Sequence, residues 1–231
     1  MTEFDGYKDI YETEIDKALR FSGKSHDFFT KVKANNLADL FARHFHDAAG
    51  AKVLDIGCGN GSIHPFLMGH NPSLRLSGID VAGEVIAGAQ TAHPNVAYEV
   101  YDGKLLPYSD ASFDAAFTIC VMHHVPPPEW PAFLSEMRRV VRPGGIAVVI
   151  EHNPMNPLTR RIVNSCPLDK NAVLLRSGQV KAMMSNAGLQ NVSVQFILFT
   201  PFDNAFFRGF DRALGSFPLG AQYMTIGSLP R

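Results

Sequence analysis

The chain has 231 residues, 46% hydrophobic and 19% charged, enough for one domain with a full core and a small cap. Its 21 Lys and Arg against 22 Asp and Glu leave a formal net charge of −1, so nothing draws it generally to a polyanion, and no nucleic-acid partner is expected without a local basic patch. The polar opening MTEFDGYKDI and the lack of any run near ~18 apolar residues argue against a secretory signal and against integral membrane association.

Residues 1–48 form an N-terminal cap in which Phe28, Phe29, Val32, Leu37, Leu40, Phe41 and Phe45 recur at helical steps, predicting two or three short helices. From Lys52 apolar runs alternate with helical patterns. Strands are predicted at Lys52–Ile56, Leu74–Asp80, Val96–Tyr101, Phe113–Val121 and Ile146–Ile150, and helices at Ser62–Met68 and Glu84–Thr91. A further helix buries Trp130, Phe133, Leu134, Met137 and Val141, and Arg142-Pro143-Gly144-Gly145 is expected to stop it. Strands apolar on both faces, alternating with helices, mean an α/β fold with a parallel sheet covered on both sides. Residues 153–176 are expected to be an inserted loop. Ser177 is placed to cap a helix to Asn186 ended by Gly188, Val192–Phe199 to form a strand, and Gln222–Leu229 a final one. Between them Asn204–Leu214 is amphipathic, and its stripe of Phe206, Phe207, Phe210 and Leu214 predicts first a core-facing helix and, as the alternative, an apolar lip for a lipid-like acceptor or a dimer contact. The three cysteines, Cys58, Cys120 and Cys166, lack a CxxC spacing, which predicts free thiols in a reducing cytoplasm.

The most informative segment is Asp55-Ile56-Gly57-Cys58-Gly59-Asn60-Gly61, a buried strand entering a turn with glycine at every second position before a helix. Such a turn lets backbone approach a ligand and presents free N–H groups to an anion. Asp80 ends the second strand, where an acidic side chain reaches a ribose diol in doubly wound folds. A dinucleotide site would show G-x-G-x-x-G, but here the sixth position is Ser62. The pattern D-x-G-C-G-x-G instead resembles motif I of the class I S-adenosylmethionine-dependent methyltransferases.

The resemblance extends through most of the chain. Asp80 sits at that family's ribose position, Asp102-Gly103 resembles its adenine-binding segment, and Ser112–Phe117 resembles its fourth strand. His123-His124 resembles the site after that strand, and Arg138–Gly145 the approach to the fifth. The resemblance implies a single doubly wound Rossmann-like domain over 1–231 with a seven-stranded sheet in order 3-2-1-4-5-7-6, strand 7 antiparallel. Its cofactor-binding core would cover 51–152 and the C-terminal part of the sheet 177–231. It further implies S-adenosyl-L-methionine as cofactor, held by Asp55, Gly57, Cys58, Gly59, Gly61, Asp80, Val81, Asp102, Gly103 and Cys120, with Leu106 or Ile79 flanking the base.

The acceptor should lie over the carboxyl ends of strands 4 and 5. His123, His124 and His152 gather there as candidate general bases, since an unperturbed imidazole titrates at about 6.5. Glu151, Asn153 and, from the cap, Tyr7 and Tyr11 are candidate acceptor contacts, and Lys33 is placed to meet the donor carboxylate. Arg160, Arg161, Lys170 and Arg176 could grip an anionic acceptor, although solvated loop charges explain them as well. No metal is expected, because Glu151 and His152 are adjacent on a strand and should point opposite ways. The function implied is methyl transfer to a small molecule, a hydroxyl of a sugar, lipid or secondary metabolite, by a monomer or homodimer. The alternatives are a nucleic-acid or protein methyltransferase, a non-catalytic adenosylmethionine-binding module, and, outside the class, an NAD(P)-dependent oxidoreductase. Cys120-Val121-Met122-His123-His124 lacks the Pro-Pro-aromatic or Pro-Cys stretches of base-modifying enzymes.

Overall fold

The computed structural model describes residues 23–45 and 49–231. Seven strands form one sheet: β1 (Lys52–Ile56), β2 (Arg75–Asp80), β3 (Ala97–Val100), β4 (Phe113–Ile119), β5 (Val141–His152), β6 (Gln190–Ile197) and β7 (Gln222–Ser228). Their spatial order is β3-β2-β1-β4-β5-β7-β6, and β7 runs antiparallel to both β5 and β6 while the remaining pairs are parallel. The β1–β2 and β1–β4 registers bring the carboxyl ends of these strands to one rim, where the chain crosses from one half of the sheet to the other.

Period-two alternation in these strands feeds two cores. Val53, Ala115, Phe117, Val148 and Ile150 join one, and Leu54, Ala116, Ala147 and Val149 join the other. The first core is covered by α1 (His26–His44) and α2 (His64–His70), which supply Leu37, Phe41 and Leu67. The second is covered by α4 (Trp130–Val140) and α6 (Ser177–Asn186), which supply Leu134, Met137, Val180 and Met184. Each such side chain removed wholly from water is worth ~1.5–3 kcal/mol. α3 (Gly83–Ala92) links β2 to β3.

Several expectations need correction. Among the described residues the cap holds one helix of 19 residues, and the rest of the two or three helices expected over 1–48 lies outside the described residues. The segment Arg142–Gly145 does not stand apart as a turn: β5 begins at Val141 and runs through it. Its register with β4 shifts between Phe113 and Ala115, and a Cβ on Gly145 would press on the Asp114 carbonyl. Glycine is therefore required for an irregular strand rather than for a chain reversal. Residues 153–176 are not an irregular loop, since α5 (Pro157–Ser165) forms there. The Asn156 side chain caps it by accepting from the N–H groups of Leu158 and Thr159.

Ser177 is the first residue of α6 rather than its cap. Arg176 holds that place, its N–H donating to the Gln179 side chain while Gln179 N–H donates to the Arg176 carbonyl. Gly188 ends the helix as expected, at φ +90°.

The largest departure is α7 (Ala205–Ala213), which buries no residue. Phe206 is 75% exposed and Phe210 47%. Both faces of the sheet are already covered, so the phenylalanines pack on one another, Phe207 against Phe202 and Phe206.

Candidate active site

A cavity of about 970 Å³ opens at the carboxyl rim of the sheet and runs from the glycine turn to the histidines after β4. At one end β1 delivers Asp55, 2% exposed, beneath the turn. Gly57, Gly59 and Gly61 adopt φ of +75°, +53° and +71°. They are not equivalent. A Cβ on Gly57 would collide with Val121, and one on Gly61 with the Tyr98 hydroxyl, whereas one on Gly59 would stand in open space. Gly59 thus leaves room for a ligand, while Gly61 does not line the cavity and serves the packing of Tyr98 and His64.

Asp80 at the end of β2 lines the same space. One of its carboxylate oxygens accepts from Gly59 N–H at 2.9 Å and the other from Ala82 N–H at 3.0 Å. Asp80 thereby ties the glycine turn to the next loop. Asp102 and Gly103 lie along the same wall with Cys58, Val81 and Tyr101. The N–H groups of Lys104 and Leu105 donate to Asp102 and hold its carboxyl below the usual carboxylate range. Leu106 and Ile79, expected to flank a base, are 3% and 0% exposed in the core, and neither faces the cavity.

Behind the turn sits a group that the sequence did not single out. His64, wholly buried, joins Asp55 Oδ2 at 3.1 Å and the Tyr98 hydroxyl at 2.6 Å. Burial pushes the Asp55 carboxyl up, partly offset by His64. Lys33 on α1, 8% exposed, lines the cavity and makes no hydrogen bond or ion pair among the described residues.

At the other end β4 gives way to a 3-10 turn, Met122–His124, entered through Cys120 at φ +57°. The Trp130 indole N–H clamps this turn through the carbonyls of Met122 and Val125. Glu151 clamps it from below, accepting from Met122 N–H at 2.8 Å and pairing with His123 Nδ1 at 2.6 Å. Asp169, from the turn Pro167–Asp169, approaches both His123 Nε2 and His124 Nε2, at 3.4 and 3.5 Å. Val173 N–H donates to the His123 carbonyl at 2.8 Å and fastens that loop in place. The His123 and His124 rings are 4.2 Å apart, and His152 lies 5.3 Å from His123.

Electrostatics separate the three histidines. Burial alone would lower His123, but the flanking Glu151 and Asp169 carboxylates outweigh it and hold the imidazole well above its ordinary value. His124 and His152 are each pushed down to about 4 by burial and by the neighbouring His123 charge. His123 therefore keeps its proton at neutral pH, and the other two are neutral.

The sequence profile of the methyltransferase domain matches residues 53–145. The 24-methylenesterol C-methyltransferase 2 of Oryza sativa subsp. japonica is 34% identical over 154 residues, 62% of this chain and 40% of that protein. The 27-O-demethylrifamycin SV methyltransferase of Amycolatopsis mediterranei is 33% identical over 115 residues, 47% of this chain and 41% of that protein. A solved Thermotoga maritima structure, described as a SAM-dependent methyltransferase and possible histamine N-methyltransferase, superposes with TM-score 0.69 at 19% identity. That match covers 97% of each chain. Together these matches support a class I S-adenosylmethionine-dependent methyltransferase. The chain spans about half the length, or less, of the curated relatives it matches.

In a methyltransferase of this class the donor is S-adenosylmethionine, and the residues present fit it. There is a glycine whose missing Cβ leaves space, a carboxylate at each of Asp55, Asp80 and Asp102, and the Lys33 ammonium at the cavity wall. Gly57, Cys58, Gly59, Asp80, Val81, Asp102, Gly103 and Cys120 all line the space expected of them.

Two candidate acceptor contacts do not face it. Glu151 lies behind His123, and Asn153, 1% exposed, donates to the carbonyls of Pro218 and Gly220 and accepts from Met155 N–H. Arg160, Arg161, Lys170 and Arg176 are also absent from the lining. Tyr7 and Tyr11 fall outside the described residues. Glu151 and His152 both converge on His123, because His123 stands above the end of β5 where neighbours on either side can reach it. Asp169 was not foreseen. A single acid in a proline-bearing stretch carries no periodic signal.

Proposed function

We propose that this methyltransferase transfers the donor methyl group to a hydroxyl of a small acceptor bound against His124. The observation that carries this reading is one continuous cavity with the glycine turn and Asp80 at one end and His124, backed by Asp169, at the other. When bound, S-adenosylmethionine supplies a methyl group already activated on a sulfonium. The chain's own task is then alignment, which can be worth ~7–11 kcal/mol of the barrier, and removal of one proton. Asp80 would hold the ribose diol, Asp102 the adenine amino group, and Asp55 the ammonium of the methionine part. Lys33 would meet the carboxylate.

His124, with 20% of its side chain exposed, borders the cavity and would take the acceptor proton. Asp169 would stabilise the imidazolium as it forms, much as a carboxylate does behind a histidine base. His123, held between Glu151 and Asp169, would orient the turn rather than accept a proton. The cavity walls include Phe29, Ile63, Phe66, Ile162 and Leu198, an apolar setting suited to a ring or lipid-like acceptor. The similarity to methyltransferases named for sterol and rifamycin substrates supports this class.

The test is binding and turnover with donor and a panel of hydroxylated small molecules. His124→Asn should lower kcat by ~100- to 10,000-fold while affinity for adenosylhomocysteine is kept. Full turnover in that variant on a true acceptor, or failure of the protein to bind adenosylhomocysteine, would overturn the reading.

A further inference from the structure

We infer that His123, His124 and Asp169 form a binding site for a divalent transition-metal ion at the acceptor end of the cavity. One ligand atom from each of the three lies within 4.8 Å of the others. Two edges of that triangle, His123 Nε2 and His124 Nε2 to Asp169 Oδ1, measure 3.4 and 3.5 Å. A charge-assisted N–H···O bond would draw in to about 2.7–2.9 Å. Ligand atoms around a tetrahedral zinc ion with bonds of about 2.0–2.1 Å stand about 3.3–3.4 Å apart. The observed edges match the second spacing, and the contact on the far side of His123 shows the contrast, since Nδ1 closes on Glu151 Oε2 at 2.6 Å.

That far-side contact is an independent feature of a built site. A metal-ligating histidine characteristically donates its other ring N–H to a carboxylate, which fixes tautomer and ring direction. Glu151, 1% exposed, is placed to do this for His123 and also fixes the Met122 N–H. The loop bearing Asp169 is pinned to His123 by the Val173 N–H. The triangle is therefore held from both sides, by Glu151 below and by the loop above. Two imidazoles and one carboxylate suit zinc, cobalt or nickel better than magnesium or calcium, which prefer all-oxygen shells. All three residues border the cavity, so a fourth coordination position opens to it and can take water or an acceptor oxygen.

The inference goes beyond the methyl-transfer reading and does not depend on it. Coordination would displace the Nε2 proton of His123 to solvent and engage His124 Nε2 and Asp169 together, so the metal-loaded form has no histidine base supported by Asp169 at this turn.

The test is titration of the metal-stripped full chain with Co2+ alone, followed by the ligand-field absorption of four-coordinate cobalt and checked by competition with Zn2+. Adenosylhomocysteine binding at the opposite end of the cavity serves as the measure of folding. One equivalent of Co2+ with tetrahedral absorption is expected, displaced by Zn2+. Asp169→Asn and His124→Asn should each weaken binding by more than 100-fold, and Glu151→Gln by ~10- to 100-fold, as for a partner behind the ligand. Protein that binds adenosylhomocysteine but takes up neither Co2+ nor Zn2+ would overturn the site. So would cobalt uptake unchanged in both Asp169→Asn and His124→Asn. Should Asp169→Asn lose adenosylhomocysteine binding through misfolding, the more exposed His124→Asn decides alone. Metal uptake without methyl transfer to any acceptor would retain this site and reject the base assignment.

Discussion

Glu151 Oε2 lies 2.6 Å from His123 Nδ1, and each side chain is 1% exposed. A buried carboxylate and a buried imidazolium are stable only as a pair, so the two ends of the substitution series should differ. Glu151→Gln keeps an acceptor for Met122 N–H and for the ring, and should cost ~1–3 kcal/mol of stability. Glu151→Ala strips one partner from a buried charge and should cost ~3–5 kcal/mol.

The sign of the pH dependence follows from the shifts. His123 is raised, so its contribution is complete below about pH 6.5 and is lost as pH climbs through the folded value. Glu151 is lowered despite its burial, so its contribution is present above its ordinary carboxylate range and lost in acid. Denaturant melts should show the gap between wild type and Glu151→Gln widest in the mildly acid to neutral range and narrowing in alkali. A gap that widens with alkali would contradict the pairing.

Asp55 carries the sign opposite to that of Glu151. Burial raises its carboxyl, so the folded state takes up that proton more readily than the unfolded chain, and stability is lost as pH rises through the folded value. Keeping Asp55 ionised is then costly to the fold, a cost that the proposed contact with the donor's ammonium would explain. Asp55→Asn should raise stability by about 1 kcal/mol and weaken donor binding by ~10- to 100-fold, a trade typical of ligand sites. Calorimetric titration with adenosylmethionine beside a thermal melt reads both. A less stable variant with full donor affinity would contradict the assignment.

Gly59→Ala separates space from strain. Its φ of +53° should cost an alanine ~1–2 kcal/mol, and the added methyl would stand in the cavity rather than against protein. Donor affinity should fall by at least about tenfold with only that modest loss of stability. Gly57→Ala, whose methyl would overlap Val121, should lose ~2 kcal/mol or more. Side-by-side urea melts and titrations distinguish them.

Phe206→Ser should change stability by less than ~0.5 kcal/mol, because the ring is 75% exposed and the helix buries nothing. A loss of 2 kcal/mol or more would mean that the stripe at Phe206 and Phe210 meets a core after all.

What could be read in advance divides along physical lines. The strands Lys52–Ile56 and Phe113–Ile119 were legible because a strand buried on both faces is apolar throughout. The glycine turn was legible because three positive φ angles at alternate positions demand glycine. Asp80 followed from its place at a strand end, and Asp102 only from the motif resemblance. By contrast, α7 has the same helical spacing as a core helix, and spacing reports a stripe without saying whether a partner surface remains for it.

Local chemistry along the chain, then, was sufficient to determine an alternating α/β core, its buried strands and its glycine turn, since each rests on backbone conformation or on burial of neighbours within a few residues, whereas the sheet order and the placing of a nucleoside donor came from the motif resemblance. Only the tertiary structure decided which histidine is charged, that Asp169 joins His123 and His124, and that His64 stands behind Asp55. Those partners are 28 to 46 residues apart for the histidine cluster and nine for Asp55. An imidazole's protonation and ligand geometry depend on what lies within a few ångströms in space, whatever the distance along the sequence.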